Sequence, residues 1–212
     1  MNQFRVLSWT EIELAPSRAG VYAWYSRMRI SKADINEIIS KVKSAPDQQT
    51  ARTIIENALD RFVFNPYRES PYRVLLRGQL KPRFVGDVEH EPSRSDSLVT
   101  RLAQNPERLH AIAALLGEAA PAFTSPLYIG MAGNLSTRLK THKSKIIEFR
   151  EQRNTTEADG TPEAGFARQV VDRGFDPTNL FVHIAEVDVE AGEQNDIENI
   201  LNRINYPIFG RN

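Results

Sequence analysis

A chain of 212 residues is long enough to bury a real core, either as one large domain or as a small domain carrying an elaborate insertion. With 41% hydrophobic and 25% charged residues it has the proportions of a folded chain, which excludes wholesale disorder. Its 27 basic residues cancel its 27 acidic ones, so no global field draws it onto a phosphate backbone, and any nucleic-acid binding has to be local.

In chain order, the first element expected is a strand over Gly20–Ser26, rich in Val, Tyr and Trp and preceded by the turn residues Pro16-Ser17-Arg18-Ala19. Ser31 with Asp34 three residues on is a capping-box pattern, opening a helix striped by Ile35, Ile38, Ile39 and Val42. A second helix is marked by Ala51, Ile54, Ile55, Ala58, Leu59 and Phe62. Tyr72–Arg77 and Pro82–Glu89 read as a strand pair turning around Gly78. Leu98, Val99 and Leu102 mark a short helix, and Asn105-Pro106 introduces another bearing Leu109, Ile112, Ala113 and Leu116.

Pro126–Met131 is the next strand, followed after Ala132-Gly133 by a helix capped by Asn134 and lined by Leu135, Leu139, Ile146 and Phe149. The polar run Asn154–Glu163 reads as a loop, and Phe166–Arg173 as a helix ended by Gly174. Leu180–Val189 alternates as a strand, with Phe181, His183, Ala185 and Val187 on one side. A last helix, striped by Ile197, Ile200, Leu201 and Ile204, stops before Pro207. Residues 27–124 hold too many elements to be a linker. The expected class is therefore α+β: residues 1–26 with 125–212 form a small antiparallel or mixed sheet flanked by helices. Residues 27–124 form an inserted, mainly helical subdomain containing a β-hairpin.

Charge is segregated along this order. Arg138, Lys140, Lys143, Lys145, Arg150 and Arg153 outnumber the two acids among them, and Arg68, Arg73, Arg77, Lys81 and Arg83 face only Glu69. Either set could contact phosphate; a solvated face is an equal reading for both. With no cysteine, a metal would have to take carboxylate, imidazole or water. No apolar run of about eighteen residues is present, and Met1-Asn2-Gln3-Phe4-Arg5 lacks a signal peptide's apolar stretch, so no membrane partner is expected and the expected compartment is the cytoplasm.

Arg138 and His142, four apart on a helix, stack on one face at the boundary of its apolar stripe. Guanidinium and imidazole suit phosphate chemistry, one as a two-pronged anion clamp and the other as a proton carrier. Alone, such a pair is more commonly a snorkelling Arg beside a hydrogen-bonded His. Glu198 borders the stripe of the last helix, where a carboxylate needs a partner; a hard cation is one candidate and solvent another. Tyr22 and Tyr128, central in two strands, would meet if those strands pair.

Together these residues carry a resemblance. Gly20-Val21-Tyr22 resembles the first motif of the GIY-YIG nucleases, and Tyr128-Ile129-Gly130 matches their second. Arg138 and His142 stand ten and fourteen residues after the second tyrosine, as in many members of that family. Glu198, Leu201, Pro207 and Asn212 resemble the family's glutamate pattern, although Gly210 holds the spacing at which other members place the asparagine. Members usually join the two motifs by a short hairpin, whereas 105 residues lie between Tyr22 and Tyr128, and Met131 stands where some have lysine.

The resemblance implies a DNA endonuclease using one divalent cation, Mg²⁺ or Mn²⁺, held by Glu198. Arg138 would stabilise phosphate charge, Tyr22 and Tyr128 would position or deprotonate water, and Asn212 would complete the site. The general base is left open between Tyr22, which needs a lowered pKa, and His142, whose ordinary pKa suits the task better. Lys140, Lys143, Lys145, Arg73 and Arg77 are expected to touch nucleic acid, duplex DNA first. The insertion would select the substrate, or dock a protein partner or a second copy. The alternative is a noncatalytic nucleic-acid-binding or assembly subunit on the same scaffold.

Overall fold

In a computed structural model, residues 4–64, 67–68, 72–76, 84–88, 95–153, 165–187 and 193–209 are described. The chain is α+β and divides into two compact units, Met1–Arg29 with Ile112–Asn212, and Ile30–Ala111. The boundary expected near residue 124 falls earlier, within a helix spanning Arg108–Phe123.

The discontinuous unit is built on β1 (Phe4–Ser8), β2 (Gly20–Ser26), β5 (Tyr128–Ala132) and β6 (Leu180–Glu186), in the order β1-β6-β2-β5. All three pairings are antiparallel. The pairing of β2 with β5 sets Tyr22 opposite Gly130 and Trp24 opposite Tyr128, despite the 105 residues between the two tyrosines. Alternation then sends Tyr22, Trp24, Tyr128, Leu7, Val182 and Ile184, all buried, to one face. There they meet α5 (Leu135–Arg153) and α6 (Phe166–Asp172), which pack on one another. Leu135, Leu139, Ile146 and Val170 are fully buried.

The edge strand β1 has no counterpart in the sequence expectations. Its alternation is masked because Phe4 and Val6 are exposed (65% and 46%) while Arg5 shares the core side with Leu7. Arg5 is tolerated there because it ends on Glu186, 3.5 Å away. A 3-10 helix, Trp9–Leu14, follows, with Ser8 donating to Glu11 in the same capping pattern that marks Ser31.

α7 (Glu193–Asn205) lies beside β5. Its expected stripe is corrected: Ile200 and Ile204 are 59% and 67% exposed, while Ile197, Glu198, Leu201, Asn202 and Asn205 are half-buried. The helix is rotated so that Glu198 shares its packed face, at i, i+3, i+4 and i+7 spacing with Leu201, Asn202 and Asn205. Tyr206, at φ 45°, stops it in a left-handed conformation that a tyrosine tolerates poorly. Phe209 then donates to the Leu127 carbonyl at 2.7 Å, tying the chain after α7 to the residue that leads into β5.

The other unit holds α1 (Lys32–Lys43), α2 (Gln48–Leu59) and α3 (Asp96–Gln104), capped by the side chains of Ser31, Asp47 and Ser95. α2 packs on both of the others. The strands β3 (Tyr72–Leu76) and β4 (Phe84–Val88) form a separate antiparallel pair. The turn around Gly78 and the loop Asn154–Glu163 lie outside the described residues. No helix among the described residues is long and apolar enough to cross a membrane.

Candidate active site

The site begins with how α5 is docked. Asn134 caps it, its side chain accepting from Thr137 N–H at 3.0 Å. Two further first-turn donors, the N–H groups of Leu135 and Ser136, reach the carbonyls of Arg18 and Pro16 at 2.9 and 3.0 Å. Helix starts leave such donors unpaired; here the turn before β2 takes them, locking the helix of Arg138 and His142 to the strand of Tyr22.

Both motif glycines are required by close approach. A Cβ on Gly20 would lie 2.3 Å from the Ala185 carbonyl oxygen and 2.7 Å from Leu135 Cδ1. A Cβ on Gly130 would lie 2.6 Å from Tyr22 Oη and 2.8 Å from Tyr128 Cε1. Gly130 is thus the bare floor on which the Tyr22 phenol rests.

Over that floor Arg138 Nε donates to Tyr22 Oη at 3.1 Å, and Tyr22 Oη lies 2.9 Å from His142 Nε2. The Tyr128 ring flanks both, at centroid distances of 6.1 Å from Tyr22 and 5.9 Å from His142. Four residues from three elements, separated by up to 120 positions, therefore form one cluster. His142 departs from expectation: it is 6% exposed, walled by Trp24 and Phe166, and lies within the core and not at its boundary.

Burial reverses the expected titration of both proton carriers. His142 is pushed down to about 3, first by desolvation and then by Arg138 and Lys145, so its imidazole is neutral at physiological pH. Tyr22 is pushed above the ordinary phenol range by burial, against the pull of Arg138. Arg138, hydrogen-bonded to Tyr22, holds its proton more firmly than usual. The imidazole is neutral, so one ring nitrogen carries its proton, and the tautomer sets whether Tyr22 Oη or His142 Nε2 is the donor across their 2.9 Å contact.

No family model, curated protein or solved structure matches the chain.

Among the described residues, none of the remaining expected site residues hydrogen-bonds to this cluster, and some fall outside the described residues. Glu198 sits half-buried on the packed face of α7, with no hydrogen-bond or ion-pair partner among the described residues. Lys143 and Lys140 are held by Glu13 at 3.2 and 3.6 Å, and Lys145 is exposed. Arg73 lies in β3 opposite Asp87, its side chain undescribed, and Arg77 and Asn212 fall outside the described residues. Sequence reasoning missed Glu13, Trp24 and Phe166. Glu13 gives no local signal, and an aromatic in an apolar run reads as core filling, which these two also are.

Among the described residues no group of three or more His, Asp or Glu could cage a metal. A hydrated hard cation needs less: Mg²⁺ is commonly held by one or two carboxylates and keeps several waters. Glu198, a carboxylate on a packed helix face with no partner among the described residues, fits that modest requirement.

Proposed function

We propose that the chain is a metal-dependent endonuclease of the GIY-YIG type that hydrolyses phosphodiester bonds in DNA. The observation that carries this reading is the Arg138–Tyr22–His142 hydrogen-bond chain beside Tyr128, formed by four of the six positions at which the resemblance places chemistry. A core built for stability alone gains little from a buried phenol and imidazole in series with a half-buried guanidinium, because each loses water.

Tyr22 is 1% exposed and bonded to Arg138, so it is shielded from solvent in the free protein. A bound phosphate draws the guanidinium of Arg138 toward its own charge and uncovers the phenol. As water held by Tyr22 Oη attacks phosphorus in line, it gives its proton to bulk solvent; the 3′ oxygen–phosphorus bond breaks and the leaving oxygen takes a proton from solvent. Arg138 stabilises the charge gathering on the phosphate. Tyr22 is thus the group that positions the water, and the neutral His142 imidazole behind it orients the phenol through their hydrogen bond. Tyr128, 8% exposed, closes the site beside them.

Glu198 is the residue to hold Mg²⁺ or Mn²⁺, which when bound supplies Lewis-acid stabilisation to the scissile phosphate and its leaving oxygen. Lys145, exposed on α5, is available to extend the phosphate-contacting surface. Glu198→Ala should abolish Mg²⁺- or Mn²⁺-dependent nicking of duplex DNA with the circular dichroism spectrum unchanged; undiminished nicking would remove Glu198 from the metal site.

A further inference from the structure

Phe166, the first residue of α6, is 4% exposed and touches three residues around the cluster at once. Its ring meets the His142 imidazole edge-on, at 5.1 Å and 84°. It lies 5.2 Å from Tyr128 and stacks on Trp24 at 5.3 Å and 28°. Behind it Phe209 closes the stack at 6.0 Å. An imidazole turns about a broad, two-fold torsion and is not held by its own rotamer preference. Something must fix its plane if Nε2 is to point at Tyr22 Oη at 2.9 Å.

We infer that Phe166 is the positioning residue of the Tyr22–His142 pair: its ring holds the imidazole plane and keeps water from the side that Tyr22 does not cover. The titratable groups facing His142 are Tyr22 and Tyr128 from the sheet and Arg138 and Lys145 on its own helix, while α6 presents the uncharged Phe166 ring. Removing the ring therefore changes solvation and orientation without changing local charge.

The consequence for catalysis rests on the nuclease reading; the consequence for His142 does not. NMR titration of the His142 ring nitrogens separates the two. In the wild type His142 should stay neutral from pH 5 to 8. In Phe166→Ala it should titrate within that range. Benzene, which enters apolar cavities of ring size, should return it to the wild-type behaviour. Val170→Ala, in the same helix and likewise buried, removes core volume but not the ring that meets the imidazole and should leave His142 silent. Phe166→Leu serves as the second variant should the alanine variant not fold, and should lower the nicking rate at least tenfold with KM unchanged. A His142 that stays neutral from pH 5 to 8 when the ring is gone, or that titrates as readily in Val170→Ala, overturns the assignment. A displaced His142 titration in a protein that never cuts DNA would instead retain Phe166's role and discard the nuclease reading.

Discussion

Tyr22, His142 and Gly130 show how three ordinary residues become a site through burial and spacing. His142 refuses a proton in the folded state that it accepts, with a pKa near 6.5, when unfolded. Below that value the unfolded chain binds more protons than the folded one, so stability rises with pH from about 3 to 6.5 and gains nothing further above it. Relative to His142→Gln, the wild type should lose stability by up to about 1.4 kcal/mol per pH unit as pH falls below 6.5, read from urea unfolding at pH 4, 5, 6 and 7. A constant difference across that range would mean that the imidazole charges freely in the fold. Gly130→Ala has a different signature. Its methyl would meet two ring systems that are themselves buried, so overpacking of about 1–3 kcal/mol is expected. With it should come a loss of nicking out of proportion to the stability change. Wild-type rates in that variant would show that the phenol is not held by the floor beneath it.

At the scale of elements, α5 and α7 show which information a sequence carries. Of the expected α5 stripe, Leu135, Leu139 and Ile146 are fully buried and Phe149, near the helix end, is half-buried, and the cap at Asn134 forms. The stripe on α7 is mis-set because Ile197, Ile200, Leu201 and Ile204 nearly close a helical face by themselves, yet the tie from Phe209 to Leu127 sets the rotation. That bond is tertiary and leaves no trace in spacing. Ile200→Ser should accordingly change stability by less than about 0.5 kcal/mol, whereas Leu139→Ala should cost about 2–5 kcal/mol; equal costs would place α7 the other way round. The basic run of α5 needs a similar qualification. Lys140 and Lys143 are paired to Glu13 on the 3-10 helix, a contact across 130 positions that charge counting cannot see. Glu13→Gln should tighten duplex DNA binding and steepen its dependence on log salt by roughly 1 to 2. An unchanged slope would mean that neither lysine reaches the backbone.

For the whole molecule, what was legible in the sequence was local: caps, strands, the apolar faces of α1 and α5, and the short motifs around Tyr22 and Tyr128. What was not legible depends on chain segments meeting from afar. β1 went unassigned because its core-side Arg5 is offset by Glu186. The unit Ile30–Ala111 is a folded body in its own right, with a cleft of about 220 Å³ between α1 and α2 lined in part by Asp34, Glu37, Lys41 and Arg61. The cleft belongs to a different unit from the cluster around Tyr22. The residues proposed for chemistry therefore all lie in the discontinuous unit, and selection of the substrate is open to the other. The most direct measurement is the nicking of supercoiled DNA in Mg²⁺ or Mn²⁺ by the wild type, Tyr22→Phe and Arg138→Ala, each first shown to be folded. The account predicts metal-dependent nicking by the wild type, reduced by about 10²–10³ in each variant. A folded wild type that leaves the DNA intact, or variants that cut it at the wild-type rate, would contradict it.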